Sequence, residues 1–146
     1  MAPGPGNQQG VVMLEALIGI LIFSLGVLAL VAMQAVSVSN VSNARYRTEA
    51  AFLANEIISE IWVDRGAGYS NVANYAVSSG VASYVPAQRW VQKVRTLLPA
   101  SDTYGPDVAI ATPAAGGRQV TVTLRWKAPD AVAPSNHVAV AFISDP

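Results

Sequence analysis

The 146-residue chain has no cysteine. No disulfide can staple it, although small exported domains commonly rely on one. A thiolate nucleophile or metal ligand is excluded as well. Between Pro5 and Pro86 there is no proline, so nothing in that long stretch has to break a helix. Charge is scarce and balanced, with nine basic and nine acidic residues. Arg89, Lys93 and Arg95 form the densest basic cluster, and three charges on a neutral chain are too few for a nucleic-acid footprint. They read as a solvated helix face. Histidine occurs once, at His137, with no His, Asp or Glu cluster around it to make a ligand set or a catalytic base. His137 reads as a strand residue. G-x-S-x-G, P-loop and dinucleotide fingerprints are missing. The residues point to no enzyme, no catalytic residue, no cofactor and no metal.

What the chain does have is a long apolar run. From Ala16 to Ala44 there is no Asp, Glu, Lys or Arg. The run exceeds the ~20 residues that span a bilayer as a helix. It is also longer than the roughly 7–15 apolar residues of a signal-peptide core. No basic n-region precedes it and no Ala-x-Ala site follows it, so the segment is expected to stay in the mature protein. Glu15 stands alone at its front edge. An ionisable residue in such a segment is costly and is a functional hypothesis by default.

The string Gln9-Gly10-Val11-Val12-Met13-Leu14-Glu15-Ala16-Leu17-Ile18-Gly19-Ile20 resembles the class III signal of type IV pilins and pseudopilins. With its continuation to Gly26 it most resembles the type IV pilus modification proteins, which are minor pilins. The likeness is close from about Gly10 to Trp62 and loose beyond. It implies a leader at residues 1–10, cleavage by the prepilin peptidase at Gly10–Val11, and N-methylation of Val11. It also implies that Glu15 is the assembly glutamate, pairing with the Val11 α-amine of a neighbouring subunit and setting the stagger between helices. Val11 stands where major pilins usually carry phenylalanine, which fits a minor pilin. The absence of cysteine means that this head cannot close its C-terminal loop as many pilin heads do.

The resemblance further implies a location and partners. The protein would cross the bacterial inner membrane once, with its head in the periplasm, and then enter the pilus, or fimbrium. It would be a structural subunit of the priming and tip complex that starts pilus assembly, serving adhesion and twitching motility. Its partners would be the other minor pilins, the major pilin, the prepilin peptidase, the inner-membrane assembly machinery, a tip adhesin, and membrane lipid before assembly. No nucleic acid is expected. The same leader and helix fit a type II secretion minor pseudopilin. A third class is a single-pass membrane protein with a periplasmic binding domain that never assembles.

The expected fold is α+β, the type IV pilin fold: a long N-terminal helix against a small antiparallel sheet of three to four strands. Residues 11–38 would be the transmembrane half of the helix and residues 39–65 its amphipathic half. Residues 66–146 would be the globular head. From Val38 to Asp64 there is neither Gly nor Pro, and Ala50/Ala51, Leu53/Ala54, Ile57/Ile58 and Ile61/Trp62 recur at helical spacing. Ile58 and Ile61 are expected to be buried under the sheet. Gly66 to Pro86 reads as an extended loop with a short helix near Ser70 to Tyr75, and Gln88 to Leu98 as an amphipathic helix closed by Pro99. Asp107 to Thr112, Val120 to Trp126 and His137 to Ser144 read as strands, the second by clear alternation. Gly116-Gly117 supplies a hairpin turn. Trp62, Trp90 and Trp126 are expected in the core.

Overall fold

A computed structural model describes residues 9–114, 116–129 and 131–144. Residues 1–8 of the expected leader lie outside the described residues. The chain divides into two compact units between Asn40 and Val41.

Helix α1 runs Gln9–Val63 without a break. In the first unit every residue from Gly10 to Val38 is exposed. The helix is long and apolar enough to cross a membrane. Ser24 turns its hydroxyl back on its own helix, donating to the Ile20 carbonyl at 2.7 Å, so its polar atom is satisfied locally.

The second unit is α+β. It holds the end of α1, two short 3-10 helices (Ala67–Tyr69 and Val72–Tyr75), helix α2 (Val85–Leu97) and five strands. These are β1 (Val77–Ser78), β2 (Val81–Ala82), β3 (Asp107–Ala111), β4 (Arg118–Trp126) and β5 (Ser135–Ile143). The sheet is antiparallel in the order β2-β1-β3-β4-β5. The long helix against a small antiparallel sheet is the α+β layout that the sequence leads one to expect.

The core follows the α1 stripe. Ala50, Leu53, Ala54, Ile57 and Ile61 are fully buried. They join Ala87, Trp90, Val91 and Val94 of α2 and the inward row of β4, which is Val120, Val122, Leu124 and Trp126. Trp90 donates its indole N–H to the Leu53 carbonyl at 2.9 Å, tying α2 to α1. Pro86 sits in the first turn of α2, where a missing N–H costs nothing. Ser101 is buried and donates to the Leu98 carbonyl at 2.7 Å, satisfying an end that α2 would otherwise leave open.

Three expectations are corrected. Trp62 is not in the core. It is 37% exposed, and the Arg65 guanidinium lies 5.4 Å from its ring centre. At roughly 100° per residue it lies about 120° from the centre of the buried stripe. Ile58, on the edge of that stripe, is half-buried against the core rather than buried. The segment from Gly66 to Pro86 is more ordered than a loop, since it contains the β1–β2 hairpin, which brings the sheet to five strands rather than the expected three to four. Ser79 and Gly80 both take positive φ, 49° and 75°, as a tight two-residue hairpin turn requires. Gly105 presses against this turn: a Cβ there would come within 2.3 Å of the Ser79 carbonyl carbon.

Candidate functional site

The sequence-derived site residues are Gly10, Val11 and Glu15. All three lie near the start of α1. The Gly10–Val11 bond lies among the first described residues of the helix. An added Cβ at Gly10 would meet nothing within 4 Å. This chain therefore does not itself require a small residue at position 10, and any such demand comes from whatever acts on that bond. Val11 is 65% exposed, and Glu15 is exposed. Val11 and Glu15 stand four residues apart, so they share one face of the helix. Gly19 and Gly26 also have open space around them, which lets another helix approach closely.

The remaining candidates are not brought together. Lys93 pairs with Glu56 of α1 at 2.7 Å and stands 5.4 Å from the Phe52 ring centre. Arg95 donates to the Gly80 carbonyl at 3.2 Å and lies 3.4 Å from Asp102. Arg89 is exposed elsewhere on α2. Lys93 and Arg95 thus tie elements of the second unit together instead of converging on a ligand. His137 is half-exposed on β5 opposite Leu124. Among the described residues no group of three His, Cys, Asp or Glu side chains could hold a metal.

A polar hub where α1 ends was not foreseen. Asp64 accepts hydrogen bonds from Tyr84 Oη at 2.7 Å, Tyr75 Oη at 2.9 Å and Asn71 Nδ2 at 3.2 Å. The two tyrosine rings meet edge to face with centres 5.0 Å apart. The Tyr84 hydroxyl, then the Tyr75 hydroxyl, hold the Asp64 carboxyl below the usual carboxylate range, outweighing partial burial. Burial first, and the Asp64 bond second, push the Tyr75 phenol well above its ordinary value, so it remains a donor. The hub fastens the helix end to the segment before α2. The signal was an acid at the first residue after the helix, but its tyrosine partners are 11 and 20 positions away.

Asp107 makes a second anchor. It accepts from the Ser79 backbone N–H at 2.7 Å and from Arg125 Nη1 at 2.5 Å. Burial raises the pKa of this carboxyl, but Arg125 and the Ser79 N–H together bring it below the ordinary range. Both acids therefore have folded-state values under the unfolded ~3.9. Their contribution is complete above that value and lost as pH falls through the lower folded one. Thermal melts of the chain should hold steady through neutral pH and drop below about pH 4. Asp64→Asn should flatten part of that acid slope. Tyr75→Phe should cost about 1 kcal/mol at neutral pH. A melting temperature independent of pH down to about 2.5 would contradict these assignments.

No protein-family model matches the chain, no curated protein matches it, and no solved structure matches it.

Proposed function

We propose that this chain is a minor pilin of the type IV family, a structural subunit of the complex that primes pilus assembly and ends at the pilus tip. One observation carries the reading. Gly10 and Glu15 stand at the pilin spacing near the start of a long apolar helix, and that helix continues into an α+β head. Cleavage at Gly10–Val11 would create an α-amine four residues from Glu15. In a low-dielectric bundle of helices, that amine on one subunit and the carboxylate on another form a strong pair. The apolar surface from Val11 to Val38 would lie in lipid first and against neighbouring helices in the filament. The head, facing the periplasm, would dock with the other minor pilins, the major pilin or a tip adhesin.

Deleting the gene and counting surface pili by electron microscopy tests this reading. Few or no pili are expected, with extracellular enzyme secretion intact. Normal piliation with a secretion defect would move the protein to the type II secretion pseudopilins. Normal results in both would leave a membrane protein that does not assemble.

A further inference from the structure

The two edges of the sheet differ. At one edge β2 is two residues long and lies beside α2, which is how natural sheets keep an edge from pairing with other chains. At the other edge β5 is nine residues long, and its only strand partner among the described residues is β4. From Asn136 to Ile143 it contains no Lys, Arg, Asp, Glu or Pro. Among the described residues, its outer edge carries no bulge, charge or proline and is not a short strand, so it lacks those guards against edge pairing.

Its side chains also face an unusual way. Along its middle β5 alternates small and bulky residues, and the small ones, Ala139 and Ala141, face the core between half-buried His137 and fully buried Ile143. Ala141, Ala139 and His137 lie opposite Val120, Val122 and Leu124, whose bulk already fills the inner face. The bulky row is turned outward: Val138, Val140 and Phe142 are 50%, 58% and 48% exposed. A one-residue slip would have buried them, so the register leaves them for another partner.

We infer that β5 pairs with β5 of a second copy, antiparallel, joining two sheets into one. Symmetry makes the strand complementary to itself. In a two-fold antiparallel pair only residues of equal parity stand opposite each other. Val138, Val140 and Phe142 therefore meet only one another, or Asn136 and Ser144. No like charges are opposed, because β5 carries none. On the same outer face Arg125 is already neutralised by Asp107. A nine-residue strand pair falls short of the ~800 Å² per partner of a standard interface, so the dimer is weak and needs the high local concentration of a shared membrane or micelle. Such an isologous pair is closed and cannot grow. It would shield β5 in unassembled protein. The inference goes beyond the functional reading and uses neither Gly10 nor Glu15.

The absence of native cysteine gives a clean test. Full-length Val138→Cys, Val140→Cys and, at the other edge, Val81→Cys are purified in detergent and oxidised mildly, alone and as a mixture of the two β5 variants. Circular dichroism checks that each is folded. Disulfide dimers are expected from Val140→Cys alone, or from the mixture, in several-fold excess over Val81→Cys, which is 72% exposed at its starting valine. Adding Val138→Lys to Val140→Cys should abolish its dimers, whether it is oxidised alone or together with Val138→Cys. Folded β5 variants that give no dimer, or a Val81→Cys yield equal to theirs, would overturn the inference. The latter would mean that the apolar helices, not the strands, bring the copies together.

Discussion

Ile61→Asp should abolish the cooperative melt of the unit that begins at Val41. Ile61 is fully buried in the cluster that also holds Ile57, Trp90 and Leu124. A carboxylate there has no cationic partner within the apolar stripe and must either stay charged in a low dielectric or take up a proton at a cost. The penalty is on the order of 4–5 kcal/mol, at the top of the range for single substitutions. A domain of this size has only ~5–15 kcal/mol in total. Any transition that survives should have a Tm lower by at least roughly 15 °C. The neighbouring Trp62→Ala is the control. Its ring is partly exposed and its specific contact is with Arg65, worth about 0.5–1 kcal/mol. Thermal melts of the two variants should therefore differ sharply. Similar losses from both would mean that the stripe is not centred where the structure puts it.

If the chain is the minor pilin proposed above, Glu15→Ala should insert and be processed normally yet fail to join other pilins. Insertion is easier without the charge. Assembly is harder, because the Val11 amine of the neighbour would be buried without its counter-ion. Removing one partner of a buried pair costs roughly 3–5 kcal/mol, which is a loss on the order of a hundredfold or more in association. Glu15→Gln keeps the shape and loses the charge, so it should fail similarly. The measurement is recovery of the remaining minor pilins with tagged protein from detergent-solubilised membranes. Recovery by both variants equal to that of the unaltered chain would remove Glu15 from assembly.

The helices were legible because their signals are long. An apolar run followed by residues 38–64 without Gly or Pro permits little but a helix. β4 was equally plain, since Val120, Val122, Leu124 and Trp126 alternate with Thr121, Thr123 and Arg125. The β1–β2 hairpin was missed because two-residue strands carry no period. Only the Ser79-Gly80 pair between two valines hinted at it. Trp62 was misplaced because adjacent pairs were read as one face, although neighbours on a helix diverge by about 100°. Which row of β5 faces inward could not be read from alternation alone. It depends on how completely β4 fills the inner face. The Asp64 hub depends on contacts that close only when the chain has folded. For Gly10, Val11 and Glu15 the spacing is itself the signal. Under the proposed function these residues act through a second molecule, which no single chain contains.

The most direct measurement of the central claim is the mass of the mature amino terminus. Protein is recovered from sheared pili and from membranes, and its N-terminal peptide is sequenced by mass spectrometry. A chain that begins at Val11 and carries one methyl group on the α-nitrogen is expected, while Gly10→Val accumulates uncleaved in the membrane. Assembled subunits that retain Met1, or a Gly10→Val protein processed like the original, would contradict it.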